Sequence, residues 1–431
     1  MLHEKIKRRF ELNGSDVSIK KELMAGIISF FTVIYIIAVN SSILSEAGIP
    51  VEAGMVATIA ASFLGCMVMG FWANAPIILV PGMGINALFS YTIVKSIGLS
   101  ASEALAVVFV SGVLFTLITC TPLVEIIADS IPYSLKEAIT VGLGLFLTLI
   151  GLEKGGLVIR GSNSMLALGH LGNPYVLATI ITLVITIILF IRNVPANFLI
   201  SILMGTVVAV ILGVVQLKDF SGTHFNVSSY SKVFASMSFA SIGSYKFWMS
   251  VFSLTMVLVF ESIGLVHGQL TLLTQPQKYK RSMQAVSIAT ISCGFLGTSP
   301  TVPAVESAAG IAAGGKTGIT SITAGCLFLV AMFFLPVIKI IPGSAIAPVL
   351  VTIGALMLQN VKNIDFSDLS EGIPAFLIIV MIPFTYSISD GIAFGFIAYP
   401  ILKLVLGKAK NVSVPLYIIA SLFLMNFILQ P

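Results

Sequence analysis

Apolar runs long enough to cross a bilayer succeed one another through almost the whole chain, and no water-facing fold could bury so many. A span needs about 20 apolar residues. Such runs cover roughly 22–43, 55–74, 76–96, 103–121, 132–152, 174–191, 195–216, 247–270, 280–297, 299–315, 317–338, 344–360, 372–387 and 389–407, with a further apolar stretch at 413–430. Only 10% of the 431 residues are charged and 57% are hydrophobic, against about 25% charged in a soluble domain. A bilayer offers nothing to an unpaired backbone group, so apolar runs of this length cross it as helices. The expectation is an all-α polytopic membrane protein with fourteen transmembrane segments, in which 413–430 lies in the interface, packs on the bundle or crosses again.

Charge sets orientation. Basic residues gather at Lys5, Lys7, Arg8, Arg9, Lys20 and Lys21, at Lys278, Lys280 and Arg281, and at Lys403, Lys408 and Lys410. Basic residues in short loops mark the cytoplasmic side. A cytoplasmic N-terminus and fourteen crossings place all three clusters inside, and the longer segments 153–173 and 217–246 outside. The first 20 residues are polar and charged, so no cleavable signal is expected, and the location is the cell (inner or plasma) membrane. The basic residues form no contiguous face, so nucleic acid is not a partner. Cys66, Cys120, Cys293 and Cys326 lie singly in apolar runs, with no CxxC pair and no histidine cluster. They read as buried thiols in packed helices, with no metal and no cofactor implied.

Two stretches repeat each other. LVPGMGINALFSY (79–91) and TVPAVESAAG (301–310) both place Val-Pro between a short β-compatible run and a helix-compatible run. Val80-Pro81 and Val302-Pro303 are 302 − 80 = 222 positions apart, and the same offset carries Val39-Asn40 onto Glu261-Ser262. Seven spans per half is an odd number, so the halves sit with opposite orientation. Inverted repeats of this kind mark secondary transporters, with the substrate near the midplane at interrupted helices.

Carboxylates sit at these places. Pro303 cannot continue a helix, so an extended piece over 299–303 followed by a helix from 304–305 is expected. That would leave Glu306 near a new helix N-terminus, where an anion or a polar ligand edge is stabilised. The bland alternative is that Glu306 only caps that terminus. Glu261 follows a mostly apolar run with no basic neighbour within two turns. Intramembrane carboxylates are costly enough that function is the default, and Glu261 reads as a proton carrier or as an acceptor for two N–H groups of a flat ligand. An interhelical hydrogen bond is its plain alternative. Gly82 and Gly84 permit close backbone approach, Asn86 has donor and acceptor atoms, and Phe89 and Tyr91 offer ring faces that more often serve packing. PGMG lacks the Lys-Ser/Thr of a phosphate loop. Gly310 and Gly314 have the spacing of tight helix packing, and Lys316 is expected at the cytoplasmic interface. His267 is more readily a satisfied histidine than a relay member. Asp390 lies beside an expected span boundary and is given no role.

PGMGINALFSYTIV (81–94), SLKEAITVGLGLFLTLIGL (134–152) and ESAAGIAAGGKTGIT (306–320), in that order, resemble the nucleobase/ascorbate transporter family. The closer likeness is to its azaguanine-permease branch, the AzgA-like purine permeases for adenine, guanine and hypoxanthine, and it runs from about residue 8 to 407. The resemblance implies two inverted seven-helix repeats with spans 3 and 10 broken by short β-strands. It implies a core domain of spans 1–4 (22–121) and 8–11 (247–338), and a gate domain of spans 5–7 (132–216) and 12–14 (344–407). The cytoplasmic N-terminus (1–21) and the C-terminal apolar segment (408–431) flank them. The ligand carboxylates of spans 8 and 10 map onto Glu261 and Glu306, which would also couple protons. Val305, Gly84, Asn86 and Phe89 would complete the substrate site.

The chain also departs from that pattern. Where the family's eighth span reads close to DLFDTIGT, this chain has LVFESIGLV, so the first acid is absent, Glu261 replaces Asp, and Leu265 follows the glycine. Where the tenth reads close to GTSTTTSYIESAAG, Pro300, Val302, Pro303 and Val305 stand at polar or aromatic positions. The extra methylene at 261 carries the carboxylate about 1.5 Å further into the site. The leading expectation is proton-coupled import of a purine-type base by alternating access, with the bilayer as surroundings and a homodimer compatible. The alternative is a same-fold transporter or channel for another small heterocycle or an organic or inorganic anion. Two carboxylates argue against an anion. No nucleophile–base pair, HExxH or nucleotide loop supports an enzyme.

Overall fold

The computed structural model describes residues 10, 18–123, 126, 130–161, 166–215 and 227–429. Lys5, Lys7, Arg8, Arg9 and much of 217–246 lie outside the described residues. In chain order the first repeat holds α1 (Ile19–Val33), α2 (Ile36–Ser45), α3 (Val51–Val68), β1 (Leu79–Pro81), α4 (Met83–Ala87), α5 (Ala101–Cys120), α6 (Tyr133–Lys154), β2 (Val158–Ile159), β3 (Ala167–Leu168), α7 (Pro174–Ile191) and α8 (Asn197–Ile211). The second holds α9 (Tyr245–Leu272), α10 (Tyr279–Leu296), β4 (Thr301–Pro303), α11 (Ser307–Ala312), α12 (Gly318–Ala331), α13 (Leu335–Ile338), α14 (Gly343–Leu358), α15 (Leu369–Thr385) and α16 (Ile388–Val405). α17 (Val414–Leu429) ends the described chain, so the apolar stretch near the C-terminus is helical over those residues.

Each expected span has its element. Among the described residues, nine helices are long and apolar enough to cross a membrane by themselves. The others fall short for local reasons. Spans 3 and 10 are broken, α8 and α15 are short, and α10 opens with Lys280 and Arg281 and carries Ser282, Gln284 and Ser287.

The expected extended pieces pair with each other. β1 and β4 are antiparallel, with Leu79 opposite Pro303, Val80 opposite Val302 and Pro81 opposite Thr301. Val80 thus faces its own repeat partner at the 222 offset, and a local two-fold passes between the strands. Two antiparallel three-residue strands satisfy at depth the backbone groups that proline and the breaks remove from helices. The Ile78 carbonyl accepts from the Ala304 amide at 2.8 Å, and Ser307 Oγ accepts from the Ile78 amide at 3.0 Å.

The helices pack in two groups. α1–α5 and α9–α12 contact one another, as do α6–α8 and α14–α16. Glycines allow the closest approaches inside the first group. A Cβ on Gly310 would meet Ser29 Oγ at 1.9 Å and the Ala25 carbonyl at 2.9 Å. The Gly314 expectation needs correction: its φ is +102°, so it stands in the turn that follows α11, where a Cβ would come no nearer than 3.8 Å to Lys21 of α1. Only glycine adopts that conformation without strain. The cysteine reading also needs correction. Cys66 and Cys293 are buried, but Cys120 and Cys326 are exposed on helix exteriors, where a thiol is apolar enough to face lipid.

Candidate functional site

The two breaks place their carboxylates differently. α11 begins at Ser307, two residues later than the expected start at 304–305, because Val305 and Glu306 form a turn. Glu306 is the N-cap residue, yet its side chain makes no capping hydrogen bond. Its Oε1 instead accepts from the Tyr35 hydroxyl at 2.5 Å. Tyr35 lies in the turn that separates α1 from α2. The sequence reading missed it; the signal available was one hydroxyl-bearing ring inside an otherwise apolar run.

Glu261 lies in α9 against the first break. A Cβ on Gly82 would stand 3.5 Å from Glu261 Oε1 and 2.5 Å from Val302 Cγ2. Glycine at 82 therefore lets β1, β4 and the Glu261 carboxylate converge. Glu261 Oε2 is buried and has no hydrogen-bond partner among the described residues. Gly264, Leu265 and Gly268 share its helix face by their spacing of three, four and seven. Gly264 and Gly268 are exposed, and nothing lies within 4 Å of a Cβ built on either. The face that carries Glu261 thus runs into open space toward the end of the molecule that holds Lys278. Val305 borders the second break and is 66% exposed.

The other expected site residues sit deeper. Gly84 is buried, and its Cβ position is 3.0 Å from Leu143 Cδ1 of α6, across the boundary between the two helix groups. Phe89 is fully buried within the helix packing and presents no open ring face. Asn86 is fully buried, and its Oδ1 accepts from Ser299 Oγ at 2.5 Å. It joins a hydroxyl-amide seam in which Asn40 Nδ2 donates to Thr58 Oγ1 at 2.7 Å and to Thr298 Oγ1 at 3.1 Å. That seam ties span 1 to both breaks. Gln269 Nε2 does the same for α9 by donating to the Ala304 carbonyl at 2.6 Å. His267 is exposed, six residues past Glu261 and off its helix face, with its ring edge-on to Tyr279. Lys316 contributes its backbone: its amide donates to Glu22 Oε1 at 2.9 Å, and Glu22 also accepts from Thr320 Oγ1 at 2.6 Å, holding the start of α12.

At the opposite end the two helix groups are joined by charge. Lys154 Nζ of α6 reaches Glu46 Oε1 at 3.5 Å and the Ser42 carbonyl at 3.1 Å, and Lys95 Nζ pairs with Glu46 Oε2 at 2.6 Å. Burial raises the Glu46 carboxyl, but Lys95 and Lys154 outweigh it and hold it below the ordinary value. A cleft of about 510 Å³ lies above this contact, lined in part by Glu46, Tyr91, Lys95, Glu153, Lys154 and Tyr386. Neither Glu261 nor Glu306 borders it.

The sequence profile of the Permease family (Xan_ur_permease) matches residues 20–427. The nucleobase transporter PlAzg2 of Paenibacillus larvae is 49% identical over 381 residues, covering 88% of this chain and 76% of that protein. The guanine/hypoxanthine permease PbuO of Bacillus subtilis is 36% identical over 426 residues, covering 96% and 98%. Among solved structures, the transmembrane domain of the cyanobacterial bicarbonate transporter BicA superposes with a TM-score of 0.66 at 13% identity, covering 86% of this chain and 96% of that one. That likeness is one of fold, a two-domain inverted repeat.

Proposed function

This chain belongs to the nucleobase/ascorbate transporter family of permeases, and on that premise we propose that it imports a purine-type nucleobase by proton symport with alternating access. The observation that carries the reading is Glu261, whose Oε2 is a buried acceptor without a donor, beside paired breaks in two spans and on a helix face open to one side. A purine presents N–H donors along a flat edge, and a carboxylate accepts two in a row. Glu261 takes those donors, Glu306 takes others from the second break, and the amides near Val305 and Gly84 meet the base's acceptors. Asn86 and Phe89 act from behind, Asn86 by holding Ser299 and Phe89 by filling the packing under α4.

No cation partners Glu261 among the described residues, so the proton that neutralises it travels with the substrate, and Glu306 shares that role. The moving bodies are the core, 22–121 with 247–338, and the gate, 132–216 with 344–407, flanked by 1–21 and 408–431. A cytoplasmic N-terminus makes the Lys278 end the inner face, which agrees with the basic residues at 278–281 and 403–410. The present arrangement is then inward-open, with Glu46 and Lys154 closing the outer face. An anion would meet repulsion from both carboxylates, which disfavours that alternative.

Uptake of radiolabelled adenine, guanine and hypoxanthine in cells lacking their own purine permeases tests the reading. Glu261→Gln and Glu306→Gln, at equal membrane abundance, are each expected to lose most uptake. Uptake near the wild-type level in both variants would sink the assignment.

A further inference from the structure

Tyr35 touches both bodies of the proposed transporter. Its hydroxyl donates to Glu306 Oε1 at 2.5 Å, and its ring meets Phe198 of α8 edge-on with centroids 5.2 Å apart. Phe198 in turn stacks on Phe190 of α7 at 6.3 Å. Tyr35 is 4% exposed and Phe198 6%, so both rings are fixed by what surrounds them. A phenol has one O–H to give, and here it goes to a carboxylate on the other repeat. The ring that carries it rests on the opposite helix group.

We propose that Tyr35 is a positioning residue for Glu306 and makes its presentation depend on the gate domain. The hydroxyl holds Oε1 and so turns Oε2 toward the transported base. Phe198 holds the Tyr35 ring, so Glu306 is aimed only while α8 is seated on α1. When the gate moves away, the ring loses its rest, the carboxylate loses its fixed rotamer, and affinity for the base falls. This inference rests on the nucleobase reading of the Glu261–Glu306 site.

Equilibrium binding of radiolabelled guanine, hypoxanthine and adenine to the purified protein tests it, with unliganded melting temperature as the check on folding. Tyr35→Phe keeps the ring and its contact with Phe198 but removes the donor. It is expected to raise Kd about tenfold, the effect of one hydrogen bond to a charged group, with kcat changed less than KM in uptake. Phe198→Leu keeps the apolar volume but removes the ring edge, and is expected to raise Kd several-fold. The double variant should bind no more weakly than Tyr35→Phe alone, because both changes break one linkage. A Kd for Tyr35→Phe within roughly twofold of wild type, or losses that multiply in the double variant, would overturn the inference while leaving the nucleobase reading intact. Wild-type protein that binds none of the three bases would overturn both.

Discussion

Pro81-Gly82-Met83-Gly84 and Pro303-Ala304-Val305-Glu306 hold equivalent places in the two repeats and have opposite chemistry. Their strands pair about the central Val80, which lies opposite its repeat partner Val302, and each leads into a helix, α4 and α11. At the offset of 222, Gly82 corresponds to Ala304 and Gly84 to Glu306. The first break has glycine at 82 and 84 because the space there is occupied: Val302 and Glu261 crowd Gly82, and Leu143 crowds Gly84. The second break carries the carboxylate. Duplication supplied the scaffold twice, and divergence left one break with glycines and the other with an acid. The same asymmetry recurs at the rim. Glu46 maps by the offset onto Gly268, so one end has an ion pair across the two helix groups where the other has open space.

Exchanging the two halves' side chains gives the largest expected effect. Gly84→Glu combined with Glu306→Gly keeps the acid count but moves one acid to the crowded break. Uptake should fall about a hundredfold or more, since a charged acceptor is lost from its place and Leu143 must yield. Retained uptake would show that the two breaks are interchangeable. Next comes Gly82→Val set against Ala304→Gly. The first drives a Cβ into Val302 at 2.5 Å and should cost about 1–3 kcal/mol of stability. The second should cost roughly 0.5–1 kcal/mol through backbone freedom, and both are read as melting temperature in detergent. Equal shifts would refute the crowding argument.

Effects at the rim are smaller in energy. Glu46→Gln should change stability by less than about 1 kcal/mol, because exposed ion pairs contribute little. It should nevertheless raise labelling of a cysteine placed at Ser42, since Lys154 loses one of its two anchors on span 1. Unchanged labelling would remove the ion pair from the closure of that face. The smallest effect is on pH. The folded-state Glu46 carboxyl lies below its unfolded value near 4.5, so its contribution is complete above that value and is lost as pH falls through the folded one. Between neutral pH and 5, a melting-temperature difference between wild type and Glu46→Gln should stay constant, and it should shrink only below about pH 4. A difference that vanishes above pH 5 would contradict the depressed carboxyl.

The spans, the proline breaks and the two intramembrane carboxylates were legible because each is a local statement. Twenty apolar residues, a proline between a β-compatible and a helix-compatible run, and an acid without a nearby base can each be read inside one window. The common offset of Val80-Pro81 and Val302-Pro303 went further and implied an inverted pair, which the strand register bears out. Helix ends were less legible. The turn at Val305 and Glu306 delays α11, and Gly314 ends it, because a left-handed glycine and a packing glycine look alike in sequence.

What the sequence by itself determined is a membrane-spanning inverted repeat broken twice, with Glu306 at one break and Glu261 inside an unbroken span. Hydrophobicity and proline act on neighbouring residues, so they need no partner to be read. Only the tertiary structure decided what each acid faces: Tyr35 for Glu306, Gly82 and open space for Glu261, Lys95 and Lys154 for Glu46. Tyr35 and Glu306 are separated by 271 positions, and no periodicity encodes a contact at that range. It exists because helices carry side chains at fixed angles and packing brings those angles together.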